Sequence, residues 1–565
     1  MKEKTQTGVM LNAYPDSLGG SLEAIVQWLK RNDVRNAFSA FYILPSVFNS
    51  DLDRGFSIID YSLNPVVAKK EDLVALNRLG IACKFDFVLN HLSVLSKPFQ
   101  DLLEKGEQSP YKDFFINWNT FWQGHGTMND EGIIEPDAKL LENMVFRKAG
   151  LPLLKVTMPD GRDVPYWNTF YQEVMTPIPN PQTLMKSLDV AYPLACYMTE
   201  AIKQALSEDD SLKTLDLGAF NQYCDQLIHH VKKHRQYLGQ MDVNIHSPLV
   251  WDFYEDTLKK LASYGARIVR LDAFAYAHKA VGEANFFNEP GTWELLENIS
   301  TIANQYNLDL LPEIHAKYED KVHQKVADKG YHIYDFFLPG LLIYTLENAN
   351  ADALVQWIQE IIDHDYQVVT MLGCHDGIPL LDLKGLLPDE AIDALINTVV
   401  RRGGYVKDLH GKRNVYYQVN ATYYSALGEN DQKLLCARAI HSFMPGIVQV
   451  WYLDLLAGKN DIEGLKSGGV GSHKAINRTN YTQAMIDEAM KQPLVQKQLR
   501  LLHFRNRFKA FSPKATISVT NEPNHHLCIH WKNNDAEASL LVDLKQHTFS
   551  IKAMENAQSI DWKMY

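Results

Sequence analysis

The chain has 565 residues, of which 46% are hydrophobic, 22% charged and 11% aromatic. This is the composition of a folded globular protein, and the length is several times that of a small binding module. With 56 Lys and Arg against 68 Asp and Glu the net charge is −12, which does not favour binding to nucleic acid or another polyanion.

The polar first residues contain no pattern of a secretion signal, and no stretch approaches the roughly 20 apolar residues of a membrane-spanning helix. We therefore expect neither export nor a membrane partner. The cysteines are scattered and form no CxxC pair, which predicts reduced, mostly buried thiols and a cytoplasmic protein. They are Cys83, Cys196, Cys224, Cys374, Cys436 and Cys528.

Eight short apolar runs recur along the chain, separated by longer segments with helical periodicity. Each run is typical of a buried strand, and together they predict an α/β fold, specifically a (β/α)8 TIM barrel. The runs cover residues 8–14, 41–48, 81–89, 266–273, 308–314, 333–338, 367–372 and 447–451.

About 170 residues separate the third and fourth runs, far more than a connection from strand to helix needs. We predict a subdomain inserted after strand 3, at 92–245, with a helical insertion at about 177–240, where leucines recur at helical spacing. The barrel would then comprise 1–91 and 246–510. The basic, His-containing run 229–235 has the residue types of a metal or anion site, but a solvated helix face explains it better.

The segment after the eighth run ends in alternating polar and apolar residues, at 515–519 and 527–531. An alternation with period two is typical of half-buried strands. We predict a small antiparallel β domain at 511–565.

Polar residues end four of the apolar runs, where a barrel collects its functional groups. The third run ends in Asn90 and His91, the fourth in Arg270 and Asp272, the fifth in Glu313 and His315, and the seventh in His375 and Asp376. Any one of these motifs also fits a structural ion pair or a cap. Their occurrence at four strand ends favours a catalytic site.

Two carboxylates at neighbouring strand ends suit the cleavage of a glycosidic bond with retention of configuration. That reaction uses one carboxylate as nucleophile and a second, about 5–5.5 Å away, as acid and then base. Arg270 lies two residues before Asp272 and shares its strand face, so it would hold Asp272 ionised as the nucleophile. Glu313, on a less cationic strand end, would keep its proton and act as the acid.

The sequence resembles the α-amylase superfamily (glycoside hydrolase family thirteen) over nearly its whole length, and within it the sucrose phosphorylase group. The motifs at the four strand ends carry the first resemblance. Longer strings carry the second, at residues 52–56, 271–276, 375–378, 417–428, 456–461 and 476–478.

The resemblance implies a role for each motif. Asp272 would be the nucleophile with Arg270 beside it, Glu313 the acid and base, and Asp376 the residue that stabilises the transition state. Further residues would bind the substrate. His91 would lie against the glucosyl unit, and His375, Asp53 and Arg478 would bind its hydroxyls. Phe56 and Phe170 would line its hydrophobic faces, and Tyr276 and Gln418 would border the acceptor side. Plain core packing is an alternative explanation for the two phenylalanines.

Two departures from the group concern the acceptor. The segment 146–152 resembles a loop that carries a phosphate-binding arginine, but it is one residue shorter, so Arg147 and Lys148 are both candidates. Where the group has an acidic contact to fructose, this chain has 414–416, preceded by the basic stretch 407–413. Lys412 and Arg413 would suit an anionic acceptor such as a sugar phosphate or glycerate, although a solvated turn would have the same residues.

The sequence therefore predicts a glycosyltransferase of the disaccharide phosphorylase type, which passes glucose from a small α-glucoside to phosphate and gives α-glucose 1-phosphate. A retaining α-glucosidase or transglucosidase would share every catalytic residue, and an inactive amylase-like binding protein would not need them. We expect no cofactor and no metal, since no set of ligands has suitable spacing. The resemblance also allows a homodimer.

Overall fold

The computed structural model describes residues 8–147, 150–208, 212–406, 418–467 and 472–565. A parallel sheet occupies its centre, and each of its eight strands overlaps one of the eight apolar runs. They are β1 (Gly8–Ala13), β2 (Ala40–Ile43), β3 (Ala82–Val88), β4 (Ala266–Asp272), β5 (Asp309–Pro312), β6 (Ile333–Asp335), β7 (Val368–Met371) and β8 (Ile447–Trp451).

The strands follow the order β5-β4-β3-β2-β1-β8-β7-β6. Strands β5 and β6, at the two ends of this order, also lie against each other, so the sheet forms a nearly closed barrel. This confirms the predicted (β/α)8 architecture. Every residue of β1 and β8 is buried, as expected for strands covered on both faces.

Helices connect the strands and cover the outside of the barrel. The first of them begins after Ser21, whose hydroxyl accepts the Ala24 N–H at 3.2 Å, a common N-cap. Outside the segment 92–245 the described α-helices are Leu22–Leu29, Lys70–Arg78, Pro248–Ser263, Gly291–Gln305, Val322–Asp328, Leu338–Asn348, Asp352–Asp363, Asp389–Arg401, Tyr423–Ala426, Asp431–Phe443, Tyr452–Leu455, Ile462–Ser467, Gln483–Lys491 and Pro493–Arg507.

The long connection between β3 and β4 contains both hairpins and helices. Strand pairs form at Gly126–Met128 with Ile134–Pro136 and at Leu153–Thr157 with Asp163–Trp167, and His91–Ser93, Gln236–Asp242 and Gln172–Met175 form a three-stranded sheet. Up to residue 245 its described α-helices are Lys97–Lys105, Trp118–Phe121, Ala138–Leu141, Pro181–Leu188, Tyr192–Glu208 and Cys224–Lys233.

The last three of these helices enclose a small core of their own, which includes Leu184, Met198, Ile202, Leu227 and Val231. The basic run 229–235 overlaps the helix Cys224–Lys233. Among the described residues, no group of three or more His, Cys, Asp or Glu has the geometry to hold a metal ion. We propose to divide the chain at the boundaries given above, with 92–245 as the inserted subdomain.

The C-terminal segment forms a five-stranded antiparallel sheet, as predicted. Its strands are β9 (Thr516–Glu522), β10 (His526–Asn533), β11 (Ala536–Asp543), β12 (Thr548–Glu555) and β13 (Gln558–Ile560). Leu527, Ile529 and Trp531 of β10 are buried and alternate with half-buried residues. The Trp531 indole donates to the carbonyl of Phe443 at 2.8 Å, which attaches the sheet to a barrel helix.

Two further observations concern the cysteines and the length of the helices. All six cysteines are free thiols. Within the described ranges, the helices include none that combines the length and the apolar character needed to cross a bilayer.

Candidate active site

The parallel register of β3, β4 and β5 brings three carboxylates around one arginine. Arg270 of β4 lies opposite Asp86 of β3 and Leu311 of β5. Its Nη1 is 2.7 Å from Oδ1 of Asp272 and also bonds Asp86, while its Nη2 is 2.6 Å from Oε1 of Glu313. One guanidinium therefore binds both Asp272 and Glu313 and holds the two carboxyl groups at neighbouring strand ends.

Asp272 and Glu313 are partly accessible, although the arginine between them is not. The side chains of Asp272 and Glu313 keep 12% and 14% of their surface exposed, against 3% for Arg270. Asp86 is fully buried and accepts the Tyr42 hydroxyl at 2.8 Å and 2.9 Å on its two oxygens. The site therefore presents two carboxyl groups to a ligand and uses the third to fix the arginine.

The protonation of this pair corrects one prediction. Burial raises the pKa of Asp272 well above its ordinary value, with Arg270 opposing the rise and Glu313 and Asp86 adding to it. Burial acts on Glu313 in the same direction, but Arg270 and His315 outweigh it and lower the pKa to about 2. The expectation that Glu313 occupies the less cationic strand end is wrong, because Arg270 and His315 both reach it.

The imidazole of His315, two residues after Glu313, lies between the carboxylates of Glu313 and Asp382. Its Nδ1 is 3.0 Å from Oδ2 of Asp382, its Nε2 is 3.7 Å from Oε1 of Glu313, and its ring stacks on Phe336. Burial acts to lower the pKa of His315, but the Asp382 and Glu313 carboxylates raise it to about 9. The amide nitrogen of Gln418 lies 3.2 Å from the same Nε2, so the predicted Gln418 joins the site through His315.

A further part of the site contains two carboxylates and two cations, which we call the charged cluster: Asp53, Asp376, Lys474 and Arg478. Lys474 Nζ is 2.9 Å from Asp376 and 3.2 Å from Asp53, and Arg478 is 3.5 Å and 3.3 Å from the same two. Burial acts to raise the pKa of Asp376, but His375, Lys474 and Arg478 hold it well below its ordinary value.

Lys474 is the member of the charged cluster that sequence reasoning missed. It lies on the 3-10 turn Ser472–Asn477, directly before Arg478. The matched string 476–478 begins two residues after it, so extending that string backwards was the signal that could have identified Lys474.

A sharp turn between β2 and the helix Lys70–Arg78 carries Asp53 and Phe56. Asp53, Arg54 and Gly55 have φ angles of 45°, 50° and 117°, all in the left-handed half of the map. A Cβ on Gly55 would lie 2.1 Å from the backbone nitrogen of Ser46, so only glycine fits there.

The turn places Phe56 against the histidines of the site. Phe56 stacks on His375 with ring centroids 4.9 Å apart and planes 9° from parallel. Its carbonyl oxygen lies 3.0 Å from Nε2 of His91. Phe56 is therefore part of the site as well as of the core, of which it is a buried member.

A second group, which we call the aromatic wall, contains His91, Phe170, Tyr276 and Arg147. Phe170 lies between the other two rings, 5.0 Å from His91 and 5.3 Å from Tyr276. Arg147 Nη1 donates to the Tyr276 hydroxyl at 3.1 Å, and its Cζ is 5.3 Å from the Phe170 ring centre. The structure thus brings Arg147 to the site, whereas Lys148, Lys412 and Arg413 lie outside the described residues.

Lys279 contacts residues next to and within the aromatic wall, and its role was not predicted from the sequence. This buried lysine is 2.8 Å from Asp242, 2.9 Å from the Asn90 side chain and 2.6 Å from the Tyr276 carbonyl oxygen. It therefore fixes the residue before His91 and the backbone of Tyr276 together.

The strand-end groups of this barrel resemble those of the α-amylase superfamily, and solved structures share its fold. An α-amylase from H. orenii has the same fold, with a TM-score of 0.58 at 14% identity. No family model matches the chain. A crystal structure of sucrose 6F-phosphate phosphorylase from Thermoanaerobacter thermosaccharolyticum matches 99% of this chain and 98% of its own, with a TM-score of 0.80 and 30% identity.

Curated proteins narrow the class. Sucrose 6(F)-phosphate phosphorylase from Ilumatobacter coccineus is 47% identical over 98% of this chain and 96% of its own length. Sucrose phosphorylase from Streptococcus mutans is 31% identical over 98% of both chains. The chain belongs to the sucrose phosphorylase family, which confirms the resemblance.

Proposed function

We propose that the chain is a retaining phosphorylase that takes glucose from sucrose 6F-phosphate and passes it to phosphate. The products are α-glucose 1-phosphate and fructose 6-phosphate. The observation that carries the reaction type is the Arg270 guanidinium, which contacts both Asp272 and Glu313 at two neighbouring strand ends. The donor is inferred from the similar protein that carries this substrate in its name.

The first step forms a covalent glucosyl-enzyme. An oxygen of Asp272 attacks the anomeric carbon, the glycosidic bond breaks, and Glu313 gives its proton to the leaving oxygen. Asp272 must be ionised and Glu313 protonated for this step, the reverse of the order that the pKa shifts of the two groups give. The positive charge that develops on the sugar in the transition state favours an ionised Asp272. We infer that substrate binding moves the proton of the pair to Glu313.

The charged cluster would bind the hydroxyls of the glucosyl unit. Ion pairs fix the positions of Asp53, Arg478 and Asp376 relative to one another. His375 lies 3.0 Å from Asp376. Carboxylates accept and cations donate, so a neutral sugar finds both kinds of partner. Phe56, His91 and Phe170 would cover the apolar faces of the ring.

The second step passes the glucosyl unit to phosphate. A phosphate oxygen attacks the anomeric carbon, the bond to Asp272 breaks, and Glu313, now a carboxylate, takes the proton of the attacking hydroxyl. Arg147 on the aromatic wall would meet the phosphate, since a guanidinium matches its oxygens in bidentate fashion. Lys148, next in sequence, remains the alternative candidate.

The acceptor side of the sequence favours an anionic leaving group. Lys407, Lys412 and Arg413 are three fixed cations against one acidic residue, Asp408, in the stretch 407–413. Lys412 and Arg413 would pair with the phosphate of fructose 6-phosphate. A neutral acceptor would leave these charges to the solvent.

An assay of two donors tests the proposal. Sucrose 6F-phosphate and sucrose are each supplied with and without phosphate, and glucose 1-phosphate and free glucose are measured separately. We expect glucose 1-phosphate from the phosphorylated donor at the higher kcat/KM. Free glucose at an undiminished rate in saturating phosphate would support the α-glucosidase instead.

The variant R413A tests the anionic acceptor. Loss of one bidentate partner should raise KM for sucrose 6F-phosphate by about 10-fold and leave KM for sucrose within about 2-fold. Equal activity of the unsubstituted enzyme on both donors, without salt dependence, would remove the case for an anion pocket.

We further propose a homodimer, for which light scattering would give twice the mass of the chain.

A further inference from the structure

Arg54 follows Asp53 in the turn described above and binds protein groups on several sides. Its Nη1 donates to the carbonyl oxygen of Arg478 at 2.8 Å, and its Nη2 contacts Asp16 at 3.0 Å and also donates to Asn480. Its Cζ lies 3.9 Å from the ring centre of Tyr14. Four residues outside its own turn therefore surround one guanidinium.

These partners come from two other segments of the chain. Tyr14 and Asp16 directly follow β1, whereas Arg478 and Asn480 lie more than 420 positions further along the chain than Arg54. Asn480 in turn donates to Asp16 at 3.0 Å. Arg54 is thus the residue at which the segment carrying Asp53, the segment carrying Arg478 and the end of β1 meet.

The backbone at this point needs such support. Arg54 has φ 50° and ψ 45°, and Asp53 before it also has a positive φ. A non-glycine residue in the left-handed region carries a cost that surrounding contacts must offset. The guanidinium provides those contacts, because its planar fork donates in several directions and stacks on an aromatic ring at the same time.

We propose that Arg54 is a positioning residue for the glucosyl site: it holds Asp53 and Arg478 at the separation at which both bind the same sugar. The inference rests on the proposed function. Arg54 binds the Arg478 backbone and lies next to Asp53, and the two residues it joins are themselves 3.3 Å apart. A shift of about 1 Å in such a pair is enough to slow a reaction by about 100-fold.

The experiment uses α-glucosyl fluoride as donor, because it carries the glucosyl unit without a sugar acceptor. Fluoride release is measured for the full chain and for R54Q and R54K. We expect kcat/KM for the donor to fall about 10- to 100-fold in R54Q, with little rescue in R54K, while KM for phosphate stays unchanged. Absence of fluoride release from the unsubstituted enzyme would contradict the proposed function, not this inference.

R31Q is the matched control. Arg31 also joins distant parts of the chain, with Asp33 at 3.1 Å and Asp487 at 2.7 Å, and belongs to neither the charged cluster nor the aromatic wall. It should keep kcat/KM within about 2-fold, since exposed ion pairs contribute little. Donor kinetics of R54Q equal to those of R31Q would overturn the proposal.

A double-mutant cycle with D53A separates positioning from general destabilisation. If Arg54 acts through Asp53, R54Q should cost clearly less in the D53A background than alone. An equal loss in both backgrounds would also overturn the proposal. Should R54Q not fold, N480A removes one acceptor of the guanidinium and replaces it in the same comparisons.

Discussion

The charged cluster and the aromatic wall are two parts of the candidate site, and they are held by different contacts. In the charged cluster, Lys474 and Arg478 each touch both Asp53 and Asp376, so two positive and two negative charges balance. In the aromatic wall, the Arg147 guanidinium lies near the faces of Phe170 and Tyr276 and donates to a hydroxyl.

This difference matches the two halves of the proposed reaction. A balanced set of donors and acceptors in fixed positions suits a neutral sugar that must be bound in one orientation. A guanidinium on ring faces suits an anion that arrives in the second step. The glucosyl unit would thus be recognised rigidly and the acceptor through a separate, differently built surface.

The largest effect is expected from a substitution of Asp272, which takes part in both steps of the proposed reaction. D272N removes the nucleophile while keeping its shape, so turnover of α-glucosyl fluoride should fall by at least about 10³-fold. D256N, on the exposed face of helix Pro248–Ser263, changes the charge equally and should keep full activity. Near-normal turnover of a folded D272N enzyme would contradict the assignment.

Lys474 tests the charged cluster alone. K474M removes the cation that bridges Asp53 and Asp376, so kcat/KM for the glucosyl donor should fall about 10- to 100-fold. KM for phosphate should not change. K466M alters an exposed lysine nearby and should behave like the unsubstituted enzyme. A change in KM for phosphate without a donor defect would show that the two sides are not separate.

Substitution of Arg147 tests the aromatic wall, and here we expect a change in phosphate binding without a change in donor turnover. R147Q should raise KM for phosphate about 10-fold and leave the release of fluoride into water unchanged, because a neutral amide binds phosphate more weakly. R162Q, which alters an arginine of the same inserted segment paired with Asp160, is the control. An unchanged KM for phosphate would leave Lys148 as the candidate.

The smallest effect concerns the pH dependence of stability at His315. Its pKa of about 9 in the folded protein lies above the ordinary 6.5, so the stabilisation is complete below about pH 6.5 and is lost as the pH rises through about 9. D382N removes the partner, so its melting temperature should lie a few degrees below that of the unsubstituted enzyme at pH 6 and approach it at pH 9.5.

Glu313, Asp382, Gln418 and Phe336 surround this imidazole, and of these Glu313 and Asp382 titrate. D389N alters an exposed carboxylate paired with Lys384 and serves as the control. An equal temperature difference at both pH values would show that Asp382 does not set the charge of His315.

The strands could be predicted because they are largely buried on both faces and therefore appear as short runs that are mostly apolar. The strand-end residues followed from the same runs, since Asp272 and Glu313 stand where each run stops. Within the C-terminal sheet, the alternation around Trp531 indicated a strand with one buried face.

Other features depend on contacts that a sequence does not display. Lys474 meets Asp53 across 421 positions, and a single lysine in a polar stretch is usually solvated. The pKa order of Asp272 and Glu313 was predicted wrongly because the second nitrogen of Arg270 reaches across to the neighbouring strand. Segment 407–417, which contains Lys412 and Arg413, lies outside the described residues, and their role stays a prediction.

The turn at Asp53, Arg54 and Gly55 also has a consequence for how the protein can change by mutation. Any side chain at Gly55 would collide with the Ser46 backbone, and backbone cannot move aside as a side chain can. In a library of random variants, this codon should therefore be recovered almost only as glycine, even under selection for folding without selection for activity. The turn that carries Asp53 and Phe56 into the glucosyl site therefore depends on a position that does not accept neutral substitutions.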